Sequence, residues 1–166
     1  MMNRRTFTGL TVAAGAGFVL SACGGSPEMQ QPTIREIIDQ NASLSTLARA
    51  LSTAGVQSLG EDGPFTIFAP RNSAFAALPD GTLDTLMLPS SNAELTQILQ
   101  LHVVRGSYTA ADLVNRTTTL QTLSGLSIIV DGFNGIHVGG VNVVQPDVLA
   151  RNGVMHIVDG IIKPAP

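Results

Sequence analysis

The sequence predicts an α+β domain, with helices from its first half packed against an antiparallel sheet from its second. Three observations carry this. Between Thr33 and Leu113 most apolar residues recur at helical spacing behind short polar caps. From Thr117 the period changes to short alternating runs broken by Gly, Asp and Asn. The composition, 44% hydrophobic and 13% charged over 166 residues, is too apolar for a disordered chain. No two stretches repeat one another, so one domain is expected. About 130 residues bury roughly two-thirds of their unfolded surface, enough for a core without covalent staples.

The first residues stand apart from that domain. Asn3-Arg4-Arg5-Thr6-Phe7 is a basic head, and Gly9 to Leu20 (GLTVAAGAGFVL) is an apolar run below the roughly 18 residues that span a bilayer. Residues 1–22 therefore read as a secretory signal peptide. The pair Arg4-Arg5, followed by Phe7, resembles a twin-arginine export signal. Leu20-Ser21-Ala22-Cys23 resembles the lipobox of bacterial lipoproteins, with small side chains beside the scissile bond and a thiol to carry the diacylglycerol. Cys23 is the only cysteine in the chain, so acylation accounts for the odd count and disulfides are excluded. Residues 23–32 form a lipidated tether of Gly, Pro and polar residues, and 33–164 form the domain. The expected location is the cell envelope, anchored in membrane lipid through acylated Cys23, outside the cytoplasm and facing a periplasm, with the cell surface as the alternative.

The elements follow in order. Thr33-Ile34-Arg35-Glu36 is a capping box opening a helix that carries Ile37 and Ile38. Leu44, Leu47, Ala48 and Leu51 keep helical spacing until Gly55 closes it. Phe65 to Ala69 is a short strand, apolar on both faces as a central strand must be, with Phe65 and Ile67 on one side and Phe68 on the other. Pro70 cannot donate to a ladder and ends it. Asn72 or Ser73 is expected to cap a brief helix that folds Phe75 back onto the core. Pro79-Asp80-Gly81 is a turn. Ser91 to Glu94 reads as a second capping box, followed by Leu95, Ile98, Leu99 and His102 on one face. Thr109 to Asp112 has the same chemistry. The runs TTTLQTL, LSIIVDG, GIHVGG, VNVVQ, GVMHIVDG and IIKP are the predicted strands. Asp131-Gly132, Asn134-Gly135 and Gly139-Gly140 mark the turns between some of them.

Three segments, taken together, resemble a fasciclin domain. GPFTIFAPRNSAFAALP (Gly63–Pro79) is similar to that family's first signature, close to GPFTVFAPTNEAFAALP. ILQLHVVRGSYTAADL (Ile98–Leu113) resembles its central histidine segment, and NGVMHIVDGIIKP (Asn152–Pro164) its closing one. Two positions depart: Leu101 stands where the family usually has Tyr, and Arg71 where it has a small polar residue. The resemblance implies a wedge or roll of roughly seven strands with a helical cluster, and a role in adhesion or matrix binding. It makes Phe65, Phe68, Pro70, Asn72, Phe75, His102, Asn152, Gly153 and His156 structural signature positions. The first segment reads as scaffold, and its alternative is a partner surface around Arg71 and Asn72.

The chemistry legible in the sequence is sparse. The formal charge is −3 with no basic run, which argues against nucleic acid as a partner. Removing Arg4 and Arg5 with the signal leaves seven basic and twelve acidic residues, a net −5. His102, His137 and His156 lack the spacing of a metal set, and each sits in an apolar context. No nucleophile elbow, dinucleotide-binding motif or carboxylate pair is present, so no catalytic residue, metal or cofactor is expected. The reading is a non-catalytic binding or adhesion module, with an envelope or matrix protein or glycan as partner. The alternatives are a carrier of a small lipophilic ligand such as a carotenoid, and an enzyme with an unrecognised site.

Overall fold

The computed structural model describes residues 31–56 and 63–163. Arg4, Arg5 and Cys23 lie outside them. Helix α1 (Ile34–Gln40) opens on the predicted capping box: Glu36 Oε2 accepts from Thr33 N at 2.7 Å, and Thr33 Oγ1 accepts from Glu36 N at 3.3 Å. The bonds that Glu36 Oε2 accepts from Thr33 N and, at 3.0 Å, from the Thr33 hydroxyl hold the Glu36 carboxyl below its usual pKa. The helical pattern does not run on unbroken. Asn41 turns extended, and its side chain caps a 3-10 turn at Ala42–Leu44 before α2 (Ser45–Ala54) begins. Gly55, in the left-handed region at φ 66°, closes α2 as expected.

Strand β1 (Phe65–Pro70) leads into α3 (Asn72–Ala76). The expected local cap is absent: Arg71 is the N-cap, and no side chain bonds the first amides of α3. Asn72 reaches back instead to α2. Its Oδ1 accepts from Thr46 N at 3.0 Å, and its Nδ2 donates to Ala42 O at 2.9 Å and Ser45 Oγ at 3.1 Å. Since Leu44 cannot cap α2, Asn72 supplies that cap from 26 residues away. Asn72→Ala should therefore cost about 1–2 kcal/mol, read as a lower urea midpoint at unchanged slope. Asn72→Asp, which keeps the acceptor, should recover part of it. Equal loss in both variants would contradict the capping role.

Two short elements, α4 (Thr82–Leu86) and a 3-10 turn at Pro89–Ser91, precede α5 (Asn92–Leu101). The second predicted capping box does not form. The 3-10 turn runs straight into α5 and leaves Ser91 at φ −103°, ψ 10°, outside the extended conformation that a capping hydroxyl needs. The third box does form, at Thr109 and Asp112 on α6 (Ala110–Leu113).

The remaining strands are β2 (Val103–Arg105), β3 (Thr117–Gln121), β4 (Ser127–Asp131), β5 (His137–Val138), β6 (Val141–Ala150) and β7 (Gly153–Val158). Gly139 and Gly140, both at positive φ, make the two-residue turn from β5 to β6. Residues Ile161–Lys163 are not a strand. The seven strands form one sheet in the order β2-β1-β7-β6-β5-β4-β3. All pairings are antiparallel except one: β1 runs parallel to β7 over six registered pairs, from Phe65↔Gly153 to Pro70↔Val158. That corrects the wholly antiparallel expectation. An α+β chain whose first strand is followed by helices can return to either side of it in either direction. At the far ends, a bridge from Val104 to Thr122 and a bond from Leu123 N to Val103 O (2.8 Å) draw β3 toward β2 and curl the sheet into a roll.

Because β1 and β7 are covered on both faces, the core is divided in two. Ile67, Ala69, Met155 and Ile157 face the helices with Ile34, Ile38, Leu47, Leu51, Phe75, Leu95 and Leu99. Phe68 and Val158 face into the roll with Leu113, Leu120, Ile128, Val130 and Val138. Phe65 packs, half-buried, on the helical side, so the side assignment read from alternation matches the structure.

Candidate functional site

The three signature segments meet around β1 and β7, and two histidines show how. His102 ends α5 and is 3% exposed. Its Nδ1 lies 2.8 Å from Ile98 O, and its Nε2 lies 3.0 Å from Ile162 N. A carbonyl can only accept and an amide can only donate, so the proton sits on Nδ1. His156, on β7, is fully buried and stacks on Phe68 with ring centroids 5.5 Å apart. Its Nε2 donates to Tyr108 O at 2.8 Å and its Nδ1 accepts from Asp147 N at 3.3 Å, the opposite tautomer. Asp147 holds an unusual φ of 55° where the register of β6 shifts around Pro146. Its carboxylate accepts from Ala110 N at 2.7 Å, so one bulge serves both His156 and the start of α6.

Both rings are thus neutral connectors between backbone segments. Burial pushes the His102 pKa down to about 4, against a smaller upward pull from Ile98 O. Burial also lowers that of His156, opposed by Tyr108 O and the Asp147 charge. Folded pKa values below the unfolded 6.5 mean that the unfolded chain binds more protons in this range. Stability should be complete above about pH 6.5 and decline as pH falls toward 4. For His102 the loss is on the order of 3 kcal/mol. Urea titrations at pH 7.5, 5.5 and 4.5 would show it, and a flat profile would refute it.

The other signature positions have equally internal tasks. Asn152, 7% exposed, accepts from Ile34 N through Oδ1 at 2.9 Å and from Phe65 N through its backbone oxygen at 3.0 Å, joining α1 to β1. Gly153 lies against Phe65 in the parallel ladder. Pro70 and Phe75 are buried, while Arg71 is exposed and Asn72 is occupied with α2. Leu101, in place of the usual Tyr, is 4% exposed inside the roll. His137 pairs with Asp131 and Asn142 in the sheet, away from the other two. Among the described residues no group of three His, Cys, Asp or Glu side chains could hold a metal ion. Nor is any described helix long and apolar enough to cross a membrane.

Two concavities adjoin this framework. A polar recess of about 650 Å³ runs beside Gly63, Pro64, Ser107 and Leu149–Val154. An apolar cavity of about 160 Å³ opens between α3, α4, α5 and Ile161, with Thr82 and Glu94 as its polar lining beside His102. The sequence reading missed this cavity, because its wall is assembled from four elements with no shared motif. Several apolar side chains are exposed on the sheet half, foremost Phe133 at 62%. Phe133 sits in the β4–β5 loop, where its N–H donates to Asp131 Oδ1 at 3.1 Å.

The profile of the fasciclin domain matches residues 42–164. The chain belongs to the fasciclin domain family. Among its fasciclin relatives is the uncharacterised Synechocystis protein sll1735, 41% identical over 132 residues that cover 79% of this chain and 97% of that one. Another is the immunogenic protein MPB70 of Mycobacterium bovis, 36% identical over 142 residues, covering 82% and 71%. A solved pair of FAS1 domains from the insect cell adhesion molecule fasciclin I superposes with a TM-score of 0.61 at 23% identity. The match covers 81% of this chain and 51% of that one. That likeness supports the fasciclin fold: a seven-stranded mixed sheet with helices.

Proposed function

We propose that this fasciclin domain is a non-catalytic binding or adhesion module, held to a membrane by acylated Cys23. The observation that carries the non-catalytic part is the use made of the signature side chains. Both nitrogens of His102 and of His156 are bonded to backbone groups, so neither ring is poised to move a substrate proton. The solved relative named above is a cell adhesion molecule, and exposed apolar residues led by Phe133 offer contact surface. The lipobox supports the anchor. The tether from Gly24 to Pro32 spans at most about 30 Å when extended, so the partner lies within about one domain diameter of the headgroups. The net −5 charge gives no attraction to anionic lipid, which leaves retention to the acyl chains. With the anchor in a periplasm-facing leaflet, the partner is a neighbouring envelope protein or glycan rather than another cell. The carotenoid-carrier alternative finds less support, since a 160 Å³ cavity matches a benzene-sized group.

Cys23→Ala should move the protein out of the membrane fraction or leave it as an uncleaved precursor. Wild-type fractionation and mobility would remove the anchor from this reading. Protease added to intact cells should leave the domain undigested, and digestion would place it on the cell surface instead. A photo-crosslinking residue at Phe133 in intact cells should yield a discrete adduct that the same residue at Ile129 or Leu126 reproduces. Absence of adducts at all three would overturn binding through this half of the sheet.

A further inference from the structure

The apolar cavity between α3, α4 and α5 has the properties of a ligand site that the adhesive reading does not use. Its walls are Phe75, Leu78, Leu83, Leu95, Ile98 and Ile161, closed below by Leu99 and the ring of His102. His102 presents no free polar atom there, because Ile98 O and Ile162 N occupy both nitrogens. Apart from Thr82 and Glu94, the lining therefore offers no free hydrogen-bonding side chain that could retain water. A cavity of about 150 Å³ lined by Leu, Ile and Phe stays dry and accepts benzene in another protein, so one of about 160 Å³ accepts a ring or branched chain of six to eight carbons. Leu78, Leu83, Ile98 and Ile161 are each only partly buried, which leaves the cavity open on one side.

The polar lining sets the second half of the recognition. Glu94, in the first turn of α5, is exposed and lines the cavity together with Thr82. No Lys or Arg lines the cavity. Among the described residues the one salt bridge joins Arg35 to Asp39, so Glu94 has no ion-pair partner there. An anionic head would meet the Glu94 carboxylate without compensation, whereas an ammonium would complement it. We propose that this cavity binds a small apolar cation, an aromatic or branched aliphatic primary ammonium, with its hydrocarbon part between α3, α4 and α5 and its head at Glu94. This inference is independent of the binding-module reading: one concerns the sheet half, the other the helical half.

The test uses the mature protein in solution with three probes of one shape: 2-phenylethylammonium, ethylbenzene and phenylacetate. Backbone amide NMR should show 2-phenylethylammonium perturbing residues 70–102 and Ile161 with its neighbours, while the β3–β5 region stays unchanged. Ethylbenzene should bind roughly two- to fivefold more weakly, the factor expected of one exposed ion pair, and phenylacetate weaker still. Glu94→Gln should erase the difference between the cation and ethylbenzene and leave ethylbenzene binding intact. Ile98→Phe, which fills the cavity from its partly exposed wall, should weaken both by tenfold or more at a melting temperature no lower than wild type. If that variant loses stability, Leu83→Phe fills the same space from α4 and should act in the same way. Perturbations elsewhere, phenylacetate binding as well as the cation, or undiminished binding in both filled variants would overturn the proposal.

Discussion

Gly153→Ala should all but abolish the folded state. A Cβ built on Gly153 falls 1.9 Å from Phe65 O and 2.8 Å from Phe65 C and N, with the residue at φ 153°. Phe65 and Gly153 begin the parallel β1–β7 pairing, and the obstructing atoms are backbone, so no side-chain rotation relieves the contact. The two strands would have to separate at the start of their six-pair parallel ladder. A cost above about 4 kcal/mol is expected, a large share of the 5–15 kcal/mol that holds a domain folded. In thermal melts followed by circular dichroism this should appear as a fall of more than about 10 °C, or as failure to recover soluble protein. A drop under about 3 °C would show that the strands move apart freely and that the close approach is not needed.

His102→Ala should cost about 3 kcal/mol. The substitution empties a buried ring volume and leaves Ile162 N–H and Ile98 C=O without the partners they now have. The two contributions separate in a second variant. His102→Leu refills most of the volume but restores neither bond, so it should regain less than half of the loss. Full recovery in the leucine variant would show that His102 acts by packing alone. An unchanged urea midpoint in the alanine variant would refute its buried placement. The pH dependence offers a third check, since either variant should lose the His102 share of the decline in stability between pH 6.5 and 4 and keep that of His156.

Much of this fold was legible because it rests on interactions spanning three or four residues. The capping boxes at Thr33–Glu36 and Thr109–Asp112, the αL closure at Gly55 and the Gly139-Gly140 turn are all of that kind. So is the alternation that sent Ile67 and Phe68 to opposite cores. The family signature, read as three ordered segments, located the central framework. Identical local patterns nonetheless came apart where the neighbourhood intervened. Ser91–Glu94 has the letters of a capping box, yet the preceding 3-10 turn takes away the backbone geometry it requires. Asn72 has the letters of a local cap, yet its amide is spent on α2.

What the sequence by itself determined, then, is the order and kind of most elements and the inward or outward side of their residues. The tertiary structure alone decided the parallel direction of β1 against β7, the two histidine tautomers, and the apolar cavity beside Glu94. The physical reason is one of range. Periodicity and capping are set by bonds within a turn or two of chain. Register between Phe65 and Gly153 is set by how two covered strand faces bury their side chains together. Each tautomer is chosen by whichever backbone groups that packing brings to the ring: Ile98 O and Ile162 N for His102, Tyr108 O and Asp147 N for His156.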